Sequence, residues 1–562
     1  MFLIAIAFIA YAFLAWLRPC IALGVLLASI PFYEITRFTV AGIPFTFPEA
    51  AVYVLAGVVM FSRLLSSFRT REAGEKSHTM VPPSNGVRSF VRSNFPSENL
   101  DGFRMTKWWS DPWIVLPFFW VIVAFIAAIG SPAGLRAWGI WKAYFVVPVI
   151  LFWIVRWVFQ QPMNDASTSS LLSFRAPTGS RSEESRTTVL SNNDVRSLAG
   201  VYPDFTSGLG MTLRVTFYFL LPIAASALIV AAIAVVQRWF PIGVPYPWSV
   251  PGQFRATSVF GYPNAVGLFL GPLVPLIIGL VIQFRSSFRA KSEESHNRVL
   301  AGNGVRSLAG VYPDFTSGLG MTIGLGMIAV PPLLAIILAK STGALIALAV
   351  VAIVGAVFVM WRPRIQRPHA WAIGIILAWV LASIVITGAL PYKRDLERIQ
   401  NPIVRKIAFG AWSGSVRLEQ YRETWVMLRD HPIRGVGLAA YQTAFAPYHH
   451  STVEIFPYPH NLLLAVWSEL GLAGAFIFLA ILYQFFRHAL ITHHSSLITY
   501  SAVAAMLVLL VHGLVDVPYF KNDLAMMFWV IVAIGTLRTT FGTIQSYGSV
   551  ASGLRPGTPN DC

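Results

Sequence analysis

The chain has 562 residues, of which 56% are hydrophobic and only 12% charged, with 40 Phe and 18 Trp. Soluble domains carry about 25% charged residues, so these proportions, with a mean hydropathy of +0.63, exclude an ordinary soluble protein and indicate an integral membrane one. The net charge of +17 does not signal nucleic-acid binding, because no long Lys/Arg block occurs and the cations sit in loops between apolar runs, where a positive-inside bias collects them.

A membrane helix needs about 20 mostly apolar residues. In chain order, such runs fall near 2–17, 20–35, 46–65, 112–130, 138–159, 214–236, 263–284, 323–339, 343–361, 370–390, 461–485, 497–515 and 523–538. The first run lacks a basic leader and a small-residue cleavage site, so it reads as a short membrane helix and not a cleaved signal. It is split from the second by Arg18-Pro19, and the two can be one broken element. The fold predicted is an all-α polytopic integral membrane protein of about 12 helices, range about 11 to 13.

The domain reading follows the same order. Membrane helices occupy 1–65, 112–159, 214–284 (with an outer loop at Arg255), 323–390 and 461–540. Polar inserts occupy 66–111, 160–213 and 285–322, a large extracytoplasmic loop occupies 391–460, and 541–562 is a tail.

The inserts repeat one another. The string from Val195 through Val201-Tyr202-Pro203-Asp204-Phe205 to Met211-Thr212 recurs residue for residue from Val305 to Thr322. A diverged copy runs from Ser67-Phe68-Arg69 through Asn85-Gly86-Val87-Arg88-Ser89 to Met105-Thr106. These segments are rich in Ser, Gly, Asn and charge and are separated by unrelated spans, so they read as disordered, functionally neutral insertions of one element. The alternative is a repeated cytoplasmic docking motif built on Val-Tyr-Pro-Asp-Phe.

Topology is set by the basic loops. Arg362, Arg364 and Arg367 lie in a short loop without acids, and Arg487 follows a later span. Both loops read as cytoplasmic. The segment 391–460, the Arg255 loop, the Lys340-Ser341-Thr342-Gly343 break and Asp516 then share the outer side.

Several polar residues are candidates for chemistry. Arg417 carries a guanidinium that binds phosphate bidentately, although it sits near Glu419, Arg422 and Glu423, and these charges can simply be helix-surface ion pairs at three- and four-residue spacing. His460 stands just before an apolar helix, where a neutral imidazole can accept a proton or simply cap and pack. Arg255 suits a second phosphate oxygen or a snorkelling interfacial role. Lys340 and Asp516 are ionisable residues at breaks between spans, positions that mark function or tight turns. His449 and His450 read as solvated loop residues. Neither the two cysteines, Cys20 and Cys562, nor the histidines have metal-site spacing, and no nucleotide-binding fingerprint is present.

These pieces resemble the O-antigen ligase/polymerase family of bacterial envelope glycan transferases. The resemblance rests on Arg255 to Asn264, Lys340 to Leu348, Ser415 to Tyr421 with Gly435-Val436-Gly437, and Pro459-His460-Asn461-Leu462 through Trp467-Ser468-Glu469-Leu470-Gly471-Leu472-Ala473-Gly474. It extends over roughly 210–540 in order. The turn at Lys340-Ser341-Thr342 lacks the arginine usual in the family, and the three inserts are not a family feature.

The resemblance implies a multi-span glycosyltransferase (GT-C-like) with a large extracytoplasmic loop in the bacterial inner membrane. It implies transfer of a glycan from an undecaprenyl-pyrophosphate carrier to a glycan, lipid or protein acceptor among membrane lipids, without ATP, metal or other cofactor. Carried over residue by residue, Arg255 and Arg417, with Arg422 beside them, would hold the pyrophosphate. His460 would be the general base, and Lys340 and Asp516 secondary members. A repeat-unit polymerase is the nearest alternative. A transporter or flippase is the alternative of another class, and an inactive scaffold is the third. A cysteine introduced at Thr443 is expected to react with a membrane-impermeant thiol reagent on intact spheroplasts; protection there would reverse the assignment of sides.

Overall fold

Apolar runs in a bilayer have no water to satisfy their peptide groups, so they become helices, which bond internally. The computed structural model describes residues 2–40, 43–78, 110–160, 215–301, 327–361, 368–389, 400, 412–450, 453–491 and 497–537. The helices are α1 (Phe2–Leu17), α2 (Pro19–Ser29), α3 (Phe47–His78), α4 (Pro112–Ile129), α5 (Leu135–Ile140), α6 (Val147–Gln160), α7 (Leu221–Val236) and α8 (Pro263–Ala301). They continue with α9 (Val330–Leu338), α10 (Thr342–Trp361), α11 (Pro368–Ile384), α12 (Trp412–Asp430), α13 (Tyr441–Phe445), α14 (Leu462–Ile491), α15 (Leu497–His512) and α16 (Asn522–Thr536).

The protein is therefore mostly helical, as predicted, with one addition. Strands β1 (Arg37–Val40) and β2 (Ile43–Thr46) pair antiparallel, Arg37 opposite Thr46. The alternating Phe38, Val40, Ile43 and Phe45 are too few to register as a hydropathy run.

Among the described residues, seven helices are long and apolar enough to cross a membrane: Pro112–Ile129, Leu135–Phe159, Thr216–Val236, Pro263–Gln283, Thr342–Trp361, Pro368–Gly388 and Leu462–Ile491. Five more are apolar but shorter, and α9 has only 9 residues. Length and composition thus support seven crossings, fewer than the twelve or so expected. Among the described residues the remaining expected spans coincide with these shorter helices, such as α1 and α2 on either side of Arg18 and α9 before the Lys340 turn.

The inserts begin inside helices. Helix α3 continues through Ser67-Phe68-Arg69, and α8 through Ser287-Phe288-Arg289 and Ser292–Ser295. The identical repeat strings, the Arg362–Arg367 loop and parts of 391–460 lie outside the described residues. What is described of 391–460 is not an open loop, for it holds the 19-residue α12 and the short α13.

Close packing positions the polar segments. Helix α8 lies against α15 and α10, and at Gly267 a side chain would fall 2.1 Å from the Ser341 hydroxyl. A small residue there lets α8 approach the α9–α10 turn. At the bundle centre, Trp120 and Trp529 both donate to the Tyr519 hydroxyl (2.7 and 3.3 Å), which donates to the Tyr144 carbonyl at 2.8 Å. This network anchors the 513–521 segment that carries Asp516.

The glycines of the Gly435 and Gly471 motifs face each other. Both adopt left-handed backbone, φ +66° and +69°. A Cβ on Gly435 would sit 2.4 Å from the Ser468 carbonyl, and one on Gly471 would sit 2.3 Å from the Ile433 carbonyl. The contact is closed by Val436 N–H donating to Ser468 O (2.7 Å) and Leu472 N–H to Ile433 O (2.9 Å). It locks the turn after α12 onto a non-helical break in α14. Left-handed strain on a non-glycine residue costs about 1–3 kcal/mol, and the overlap adds to it. Gly471→Ala is therefore expected to lower the unfolding temperature clearly, whereas Gly355→Ala, in open helical space, is not; equal effects would remove this contact from the folding argument.

Candidate functional site

Helix α12 presents Arg417, Gln420, Tyr421 and Thr424 at three- and four-residue spacing, the period that puts side chains on one helical face. Gln420, Tyr421 and Thr424 are buried there. Tyr421 donates to the His460 carbonyl at 2.5 Å, and Gln420 Nε2 donates to the Tyr458 carbonyl at 3.2 Å. With its amide so oriented, Gln420 turns Oε1 toward His460 Nδ1, 2.9 Å away. That nitrogen must carry the proton, so in the neutral ring Nε2 is the acceptor. Phe456 packs edge-on against the imidazole at 4.7 Å.

Asp516 gathers the cations. Its Oδ2 accepts from Asn264 Nδ2 at 3.2 Å and lies 4.0 Å from Arg417 Nη2. Its Oδ1 accepts from the Val517 N–H at 2.9 Å. Asn264 Oδ1 in turn accepts from Arg255 Nη2 at 2.8 Å. Arg255 also donates to the Ala339 carbonyl (2.9 Å) and the Lys340 carbonyl (3.5 Å). Lys340 turns left-handed, φ +51°, which aims its carbonyl across the α9–α10 break.

Two cavities meet at this cluster. The smaller, about 260 Å³, is lined by Arg255, Lys340, Ser341, Arg417, His512 and Asp516 among others. The larger, about 780 Å³, shares Arg255, Asn264 and Asp516 with it and is lined by His460. Arg417 Nε, Ser341 Oγ and His512 Nδ1 are buried without a protein partner. Buried polar atoms are nearly always bonded, so three orphans on one small cavity mark a place for a polar ligand. Among the described residues no group of three His, Cys, Asp or Glu is placed to hold a metal ion.

The electrostatics follow from burial. Burial first, then the Arg417 charge, push His460 down to about 4 against the opposing pull of Asp516. The imidazole is therefore neutral at pH 7. Burial works against the Asp516 charge, but His460, Arg417 and His512 outweigh it and hold the carboxyl below its ordinary range. Burial and then Arg417 lower Arg255 from its ordinary value.

Five of the six candidates from sequence thus come together: Arg255, Arg417, His460, Lys340 and Asp516. Arg422 does not. It is exposed on α12 and lines neither cavity, because five residues from Arg417 carry it round the helix. Asn264, Gln420, Ser341 and His512 were not named as site residues from sequence. The first three lie within motifs that carried the resemblance, and His512 is an ionisable residue ending an apolar span.

His449 also departs from its solvated expectation. Its Nδ1 lies 2.9 Å from Glu423 Oε2 and its Nε2 2.7 Å from the Val453 carbonyl. Glu423 also accepts from the His450 N–H at 3.0 Å. Both ring nitrogens thus face acceptors.

The site defines a helical membrane protein in which cations and a neutral imidazole line two adjoining cavities, the smaller of them walled by unsatisfied polar atoms. Residues 327–479 match the family model described as O-antigen ligase. Over this stretch the chain is O-antigen ligase-like, as its motifs implied. No curated protein sequence matches the chain. The match is shorter than the expected 210–540, holding Lys340, Arg417, Arg422 and His460 but not Arg255 or Asp516.

The His449 contact has a pH consequence. Burial opposes its charge, but Glu423 and the Val453 carbonyl outweigh burial and raise its pKa above 6.5. A raised pKa contributes stability that is complete below about pH 6.5 and is lost as pH rises through the folded value. The unfolding temperature of wild type is therefore expected to exceed that of His449→Gln at about pH 6, with the gap narrowing toward about pH 8.5; a gap constant with pH would exclude an imidazolium there.

Proposed function

We propose that the protein is an O-antigen ligase-like glycosyltransferase of the inner membrane. It moves a glycan from an undecaprenyl-pyrophosphate carrier to an acceptor hydroxyl on a lipid A-core, surface polymer or protein, on the outer face. The observation that carries this reading is the convergence of Arg255 and Arg417 with His460 across two joined cavities.

In this mechanism the pyrophosphate occupies the smaller cavity and the acceptor enters the larger. The acceptor oxygen attacks the anomeric carbon of the donor sugar and gives its proton to His460 Nε2. The anomeric carbon–oxygen bond to the pyrophosphate breaks, and the electron pair leaves with the carrier. Arg417 and Arg255 meet the charge that develops there, and fixed donors aimed at developing charge lower a barrier without reorganisation. Gln420 keeps the imidazole in the tautomer that accepts. Lys340 adds a cation at the cavity edge. Asp516 keeps Arg417 and the Arg255–Asn264 pair in register. Energy comes from the donor linkage, so the transfer needs no ATP, and Arg255, Arg417 and Lys340 take the charge-neutralising role that a metal ion fills elsewhere.

The measurement is glycan transfer from an undecaprenyl-pyrophosphate donor by purified protein in EDTA. Arg417→Ala is expected to lower turnover about 10²–10³-fold, and His460→Ala about 10²–10⁴-fold. Near-wild-type turnover in His460→Ala would remove it as base. A wild type inert toward every acceptor would shift the reading to a transporter.

A further inference from the structure

The larger cavity holds more positive charge than a pyrophosphate at Arg255 and Arg417 uses. Its lining carries Arg37, Arg136, Arg255 and Lys521 against one carboxylate, Asp516. Asp516 faces Arg417 and Asn264. Lys521 lies 3.4 Å from Glu34 and within 4.8 to 5.3 Å of the Tyr33, Phe260 and Tyr262 rings. Both charges are spoken for within the protein.

Arg37 and Arg136 are different. Among the described residues neither forms an ion pair with a carboxylate. Both are exposed to the cavity and solvent. They come from separate elements, Arg37 from β1 and Arg136 from α5. Each element is fixed in place. The hairpin is pinned by Lys142, which donates to the Pro44 carbonyl at 2.6 Å and pairs with Glu49 at 2.9 Å. The turn before α5 is pinned by Ser131, whose hydroxyl donates to the Leu438 carbonyl at 2.5 Å. Arg37 lies over the Tyr33 ring at 5.8 Å and Arg136 acts on Glu469 through space, so each charge is offset in part, and an anion between the two guanidiniums would relieve the repulsion that remains.

We propose that Arg37 and Arg136 form a second anion subsite, for a phosphate or carboxylate borne by the acceptor glycan. This rests on the glycan-transfer reading. The acceptor is assigned here because its hydroxyl must touch His460, which lines this cavity, whereas Arg417 lines the smaller one. Tyr144, Trp248, Tyr262 and Tyr458 on the same walls add aromatic surface of the kind that sugar rings pack against. Specificity then comes from charge: a neutral acceptor leaves two guanidiniums unpaired, and an acidic one satisfies both with bidentate bonds.

The test uses full-length protein in nanodiscs of zwitterionic lipid. Mannose 6-phosphate, glucuronate and mannose are titrated separately in saturating inorganic pyrophosphate. At least one acidic sugar is expected to bind about tenfold or more tighter than mannose; the two acids show whether phosphate or carboxylate is preferred. Combined Arg37→Gln and Arg136→Gln should abolish that preference and leave pyrophosphate affinity unchanged, which also reports that the variant is folded. Displacement of the acidic sugars by pyrophosphate, no preference over mannose, or an unaltered double variant would each overturn the subsite. So would loss of binding when phosphatidylglycerol is added, since the arginines would then serve a lipid headgroup. Transfer that fails while this binding holds would sink the glycan-transfer reading and not the anion site.

Discussion

A cation placed near a bilayer must be paired or wet, and Asp516 is how this protein meets that requirement. One carboxylate reaches Arg417 on α12 directly and Arg255 through Asn264 on α8. Without it, two guanidiniums whose charges already oppose each other would share a small, partly dry space. The carboxylate neutralises only part of that charge, and the remainder is available to an anionic ligand. Its own position is fixed from below by the Tyr519 network and from beside it by Asn461, which donates to the Leu514 carbonyl at 3.1 Å. The polar site is thus fastened to the apolar core at several points.

Much of the fold was legible because hydropathy measures the thing that decides it. Every apolar run became a helix close to its expected position, including the pair split at Arg18-Pro19. What escaped depends on partners and not on composition. Helix α12 is polar enough to read as loop, yet Leu418, Tyr421 and Leu428 bury one face against Leu464, and Met427 buries another against Tyr441 and Phe445. The break at Gly471 follows Ser468-Glu469 inside an otherwise apolar run, and it exists because the Gly435 turn docks there.

The site was legible by residue type more than by geometry. Charged groups at span ends stand out in an apolar sequence, so Arg255, Lys340, Arg417 and Asp516 drew notice without knowledge of their neighbours. Asn264 and Gln420 did not, since an uncharged amide has meaning only through what it touches, here groups 252 and 40 residues away. Arg422 was misplaced for the converse reason. Its charge resembled that of Arg417, but the helical period turned it outward. His449 was misjudged because Glu423, its partner, lies 26 residues away.

The non-helical residue at Gly471 also divides the work of helix α14. The break lets one helix hold two directions: the turns after Leu472 follow the apolar bundle, whereas those from Leu462 to Leu470 follow the Gly435 turn that docks on them. His460 stands just before Leu462 and meets α12 through Tyr421 and Gln420. One backbone contact between two glycines therefore sets how α12 and the start of α14 face each other, and with it the spacing between Arg417 and the imidazole.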